Sequence, residues 1–212
     1  SPAQTFTITV ASVNDVPTFT KGPDQTVAED PGFQAVGFWA TNISAGPLEF
    51  DQFATFQVTN NTNPSLFSVQ PGVNSSGTLT YMPASNATGA ADVTIVLKDN
   101  GGTANGGVDT TAPQTFTITV TPVNDAPINT VPFSPSTNQQ TPLVFSSATF
   151  NAISVNDVDA GTDPIRVSLT ATQGTLSLGS TTGLSFTAGD GVDDVAMTFS
   201  GTITAINSGL NG

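Results

Sequence analysis

The chain contains neither cysteine nor histidine, so the side chains it can offer a metal or a substrate are almost all oxygen donors. Sixteen Asp and Glu residues face three bases, Lys21, Lys98 and Arg166, and the formal net charge is −13. Such a surface repels a phosphate backbone and anionic lipid, and it attracts cations. Two amide–carboxylate pairs, Asn14-Asp15 and Asn124-Asp125, lie in Val-Asn-Asp-x-Pro segments at 13–17 and 123–127. Asp157 and Asp159 form an Asp-x-Asp beside Asn156 and Gly161. Calcium takes about six to eight oxygens from carboxylates, amides and carbonyls in a flexible geometry, and residues of this kind supply them. Each group has two readings. The Asn-Asp-x-Pro segments either ligate calcium or form capped turns that end a strand. Asp157 and Asp159 either ligate calcium or belong to a solvated loop. Catalysis fits poorly. Without His or Cys there is no histidine-based triad and no thiol nucleophile. A glycosidase-type carboxylate pair needs a cleft, and none is signalled. The chain is therefore read as a non-enzyme.

The elements that would position these oxygens are marked by a repeat. Gln4-Thr5-Phe6-Thr7-Ile8-Thr9-Val10 recurs as Gln114-Thr115-Phe116-Thr117-Ile118-Thr119-Val120, at an offset of 114 − 4 = 110 residues. Self-similarity over the length of a small domain indicates a tandem array. Phe, Ile and Val alternate with Thr, the period-two pattern of a half-buried strand, and the Asn-Asp pair and proline that follow stop it. Residues 1–17 are thus expected to be the closing strand and linker of a preceding module, 18–127 a complete module, and 128–212 a second, incomplete one. Strands are predicted at 53–58, 66–69, 79–81, 93–97 and 116–120, separated by Asn-, Gly- and Pro-rich turns. In the second module strands are expected at 165–169, 176–178, 184–186 and 197–199, and the spacing of Ile203, Ile206 and Leu210 is compatible with a short helix. The fold class is all-β: tandem antiparallel Greek-key β-sandwich modules in an extended array. No segment is apolar for long enough to cross a membrane as a helix, and no signal peptide opens the chain, which reads as a section of something longer.

Other motifs take plainer readings. Asp190-Gly191-Val192-Asp193-Asp194 is a surface turn, and the Gly-rich run 101–107 a flexible loop. Asn-x-Ser/Thr triplets begin at Asn42, Asn60, Asn74 and Asn86, as composition alone allows. Trp39 and Tyr81 could form a ligand platform, but core packing is the better reading.

The Val-Asn-Asp-x-Pro linkers, the strand ending Val93-Thr94-Ile95-Val96-Leu97-Lys98-Asp99-Asn100-Gly101, and Asn156-Asp157-Val158-Asp159 together resemble cadherin-like and Ig-like repeats of very large bacterial surface proteins and adhesins. Thr78-Leu79-Thr80-Tyr81-x-Pro83 and Gly201-Thr202-Ile203 with Ile206-Asn207 fit the same repeats. The resemblance implies calcium at module junctions. Carried over, the junction at 127/128 would use Glu29 or Asp30, Asn124, Asp125, Asp157 and Asp159. The junction before residue 18 would use Asn14, Asp15 and Asp99, with Glu49 or Asp51. Two features depart from the pattern. Asn138-Gln139-Gln140 stands where such repeats often carry Glu-Asp, and the first module has Glu49-Phe50-Asp51 in place of an Asp-x-Asp.

The function expected is therefore a structural, adhesive segment of an extracellular bacterial surface protein, stiffened by Ca2+ at its joints. Its expected partners are neighbouring modules, other copies of itself, and a surface receptor or glycan, with no nucleic acid and no direct membrane insertion. The alternatives are a filament subunit joined head to tail by strand complementation, and a carbohydrate-binding module.

Overall fold

The computed structural model describes residues 2–212, which form two compact units, one ending at Val123 and the other running Asn124–Gly212. Both are built on β-structure. None of the described helices is long and apolar enough to cross a membrane.

Among the described residues the first unit contains nine strands: β1 (Thr18–Thr20), β2 (Gln25–Ala28), β3 (Gln34–Val36), β4 (Thr41–Ser44), β5 (Ala54–Asn61), β6 (Phe67–Val73), β7 (Leu79–Pro83), β8 (Gly89–Asp99) and β9 (Gln114–Thr121). They form a four-stranded sheet in the order β2-β9-β8-β5, a three-stranded sheet β3-β7-β6 and a β1-β4 pair. The pairs are antiparallel except β2 with β9, which run parallel with Gln25 opposite Ile118. The chain passes back and forth between the two larger sheets, and side chains from both meet in one core. The alternation read from sequence is what fills it. Phe116, Ile118 and Val120 of β9 point inward with Val93 and Ile95 of β8, against Leu79 and Tyr81 of β7. Trp39 stacks on Phe116 with ring centroids 4.4 Å apart, and its indole N–H donates to the Pro23 carbonyl at 2.8 Å. Trp39 and Tyr81 are both core residues, and neither presents a face to a ligand. This unit is an all-β sandwich.

The predicted strands at 79–81, 93–97 and 116–120 are present within β7, β8 and β9, and the one predicted at 53–58 begins one residue later, at Ala54 of β5. The strand predicted at 66–69 begins at Phe67, because Pro64–Leu66 makes a 3-10 turn. The heptapeptide at 4–10 behaves differently from its copy. Residues 2–16 contain no strand, and Phe6 is 85% exposed where its counterpart Phe116 is 1% exposed. The physical difference is the flanks. β9 lies between β8 and β2, whereas Gln4–Val10 pairs with no strand among the described residues.

The second unit contains β10 (Ile128–Thr130) paired with β11 (Ser154–Asn156), a three-stranded sheet in which β14 (Ala196–Gly201) lies between β12 (Ile165–Thr170) and β13 (Ser185–Ala188), and helix α1 (Ile203–Leu210). The helix foreseen from the Ile203, Ile206, Leu210 spacing is real. Thr202 caps it, its hydroxyl accepting from Ala205 N, and Ile206 and Leu210 bury against Met197 and Phe199. The side chain of Asn207 exchanges two 2.9 Å hydrogen bonds with the Val155 backbone, tying α1 to β11. Leu176–Leu178 makes no strand, only an isolated bridge from Leu176 to Asp194.

Candidate functional site

In the first unit Asn14 and Asp15 lie against the end of β8. β8 carries Asp99 to its last position, where the side chain is buried, and the loop beyond returns the chain to β9. Asn14 Nδ2 donates to Asp99 Oδ1 (3.1 Å) and to the Val108 carbonyl (2.9 Å), while Asn14 Oδ1 accepts from Gln52 Nε2 (2.8 Å). Asp15 N donates to Glu49 Oε1 (2.9 Å). Glu49 and Gln52 sit on one turn between β4 and β5, closed by Gln52 N donating to the Glu49 carbonyl (3.1 Å). Asp99 Oδ1 also accepts from Gly101 N (2.9 Å).

The oxygens left over are the informative ones. Glu49 Oε2, Gln52 Oε1 and Asp99 Oδ2 are all buried, and none has a hydrogen-bond partner. A buried polar oxygen without a partner is costly, and two carboxylate oxygens and one amide oxygen on side chains bound to one Asn-Asp pair form a donor set that fits a hard cation. Asp51, the alternative to Glu49, is exposed. Gln52 was not foreseen. It is neutral, so a search for carboxylates passes over it, although its place three residues after Glu49 puts it on the same turn. No three carboxylates among the described residues stand close enough to hold an ion by themselves, so the amides are needed to complete this set. Beside it Lys98 pairs with Asp109 at 3.2 Å. The Thr110 hydroxyl, then Lys98, hold the Asp109 carboxyl below its ordinary range.

The residues assigned to the other junction are divided between the two units. In the first unit, Glu29 at the end of β2 is buried and its Oε1 accepts from Val123 N at 2.6 Å. Asp30 turns elsewhere. It has φ +52°, and its Oδ1 accepts from Asn86 N at 3.1 Å. Glu29 thus bonds the backbone at the first residue of the Val-Asn-Asp-x-Pro segment. In the second unit, Asp159 Oδ2 accepts from Asp125 N, and Asp157 Oδ1 accepts from Asp159 N and Ala160 N at 3.0 Å each. Asn124 Nδ2 donates to the carbonyl of Asp125 at 2.7 Å. The carboxylates of Asp157 and Asp159 thus accept from backbone N–H groups.

Asp190–Asp194 is a self-capped turn, as expected: Asp194 Oδ2 accepts from Asp190 N and Gly191 N, and Asp190 Oδ1 from Val192 N. The Gly-rich run 101–107 is followed by Val108, and Asn14 is bonded to that residue.

No family model matches the chain, and no curated protein does. Solved structures similar to it include the human desmocollin-1 ectodomain, at 13% identity and a TM-score of 0.34, with 89% of this chain and 34% of that one covered. A protocadherin gammaB7 EC3-6 cis-dimer is similar at 11% identity and a TM-score of 0.33, with 88% of this chain and 38% of that one covered. The chain thus spans about a third of the length of these two structures.

Proposed function

We propose that this chain is a structural, adhesive repeat segment of an extracellular bacterial surface protein, and that calcium binds where the linker Asn14-Asp15 meets the first sandwich. The observation that carries this reading is the trio of buried, partnerless oxygens on Glu49, Gln52 and Asp99. These three side chains, with Asn14 and Asp15, would hold the ion. Bound there, calcium supplies the positive charge that the buried carboxylates lack. The role is mechanical, since ligands drawn from a linker and a module restrict the joint between them. The acidic surface and the 110-residue repeat support an array over a nucleic-acid or membrane partner. For the next joint the resemblance to cadherin-like repeats implies a second set, Glu29 or Asp30 with Asn124, Asp125, Asp157 and Asp159.

Calorimetric titration of the whole chain with calcium tests this. Binding is expected in the range roughly 10⁻⁴ to 10⁻³ M that serves extracellular modules. Glu49→Gln and Asp99→Asn should each weaken one component at least about tenfold, as loss of a charged ligand does. Asp125→Ala and Asp159→Ala should weaken the other, and Asp190→Asn neither. Heats unchanged in the Glu49 and Asp99 variants would refute the assignment.

The exposed heptapeptide Gln4–Val10 favours a second reading, strand addition between modules. Its residues are identical to those of β9, whose slot has a parallel strand on one side and an antiparallel strand on the other. A preceding module or another copy of this chain could provide such a slot, and the latter would give a head-to-tail filament.

A further inference from the structure

The Gly-rich run 101–107 reads as a flexible loop, yet Asn14 is fitted against it, between Asp99 before it and Val108 after it. We infer that this loop is a seat for the linker, that it holds the linker without metal, and that it selects asparagine at position 14.

Three observations carry the inference. The first is a two-way pairing: Val108 N donates to the Asn14 carbonyl at 3.1 Å, and Asn14 Nδ2 donates to the Val108 carbonyl at 2.9 Å. The backbone and side chain of Asn14 thus clamp a single residue of the loop from both sides.

The second is the use of both ends of the Asn14 amide. Its nitrogen faces two acceptors, Asp99 Oδ1 and the Val108 carbonyl, and its oxygen faces a donor, Gln52 Nε2. Only an amide satisfies that pattern. An aspartate would lack both donors and would add a second negative charge against Asp99.

The third is space. A methyl group at Gly101 would overlap Asn14 Oδ1, and one at Gly107 would lie 2.9 Å from Asn14 Cβ. Both positions are side-chain-free where Asn14 occupies the room. The linker is tied down again at its next residue by Asp15 N on Glu49 Oε1, and Pro17 is fully buried two residues later.

Each hydrogen bond in this seat joins two protein groups. In the second linker the Asn124 amide donates instead to the carbonyl of Asp125, and the backbone is held by side-chain carboxylates, Val123 N on Glu29 and Asp125 N on Asp159.

The inference stands apart from the calcium reading, and its test runs in chelator. Amide hydrogen exchange of the whole chain is followed by NMR at Asp15 and Val108, with the fluorescence of Trp39, the only tryptophan, reporting the sandwich. Both amides should be protected at least about tenfold over unstructured rates without calcium. Asn14→Asp and Gly101→Ala should each remove that protection and leave the Trp39 signal unchanged. If Gly101→Ala disturbs Trp39, Asn14→Asp alone decides. Unprotected amides in the wild-type chain, protection that returns only with calcium, or full protection in Asn14→Asp would each overturn the inference. Failure of the calorimetric test would leave this result standing.

Discussion

Four side-chain oxygens among the described residues are buried without a hydrogen-bond partner, and they divide by chemistry. Three belong to Glu49, Gln52 and Asp99 beside the linker, where two unpaired carboxylate oxygens and an amide oxygen call for a cation. The fourth is the Tyr81 hydroxyl, in the core beside Phe67, at a ring-centroid distance of 6.1 Å. A buried hydroxyl with no partner costs free energy with no return, so Tyr81→Phe should raise stability, by up to about 1 kcal/mol. Burial also raises the Tyr81 pKa above its ordinary value of 10.0. A group whose folded pKa lies above the unfolded one contributes stability that is complete below the unfolded value and is lost as pH rises through the folded one. The wild-type chain should therefore lose stability above about pH 10 more steeply than Tyr81→Phe does. Urea melts at several pH values measure both effects, and a less stable Phe variant would show that the hydroxyl has a partner in solution. At this scale the sequence was legible where a residue lies in a marked motif, as at Asn14, Asp15 and Asp99. It was not legible for Gln52, which lies in none. Nor did it announce the positive φ at Asp30, which no side-chain pattern signals.

The heptapeptide repeat shows how far an element is made by its neighbours. Gln4–Val10 and Gln114–Val120 have the same seven residues, yet only the second is a strand. Intrinsic β-propensity is the same for both, so the flanking strands β2 and β8 account for the difference. Phe116→Ala should therefore cost about 3–5 kcal/mol in the first unit. Phe6→Ala should stay within about 0.5 kcal/mol, as exposed substitutions do. Denaturant melts followed by Trp39 fluorescence compare the two, and a comparable loss in Phe6→Ala would mean that Gln4–Val10 is bound in solution. The long, alternating strands β5, β8 and β9 were readable for the same physical reason, since a half-buried strand must alternate. β1 to β4 were not, because at three or four residues each they hold too few positions to display a period. Leu176–Leu178 alternates, but it makes only one bridge and packs its leucines on the second core.

At the scale of the whole molecule, each unit has its own apolar core and the chain as a whole is strongly acidic. With 16 acids against three bases, like charges repel across the folded surface. Raising sodium chloride from about 0.01 M to 0.15 M shortens the Debye length from about 30 Å to about 8 Å. The melting temperature should rise over that interval. Circular dichroism melts read it, and a fall would mean that attractive pairs such as Lys98–Asp109 dominate.

The central claim is that the linker end of the first sandwich is a calcium site completed by amides. It is tested most directly by a crystal structure of the chain grown in saturating calcium, with the ion located by its anomalous signal. The account predicts calcium at about 2.3–2.6 Å from oxygens of Glu49, Gln52 and Asp99. Calcium bound only at exposed acids such as Asp190–Asp194, with those three side chains left without a cation, would contradict it.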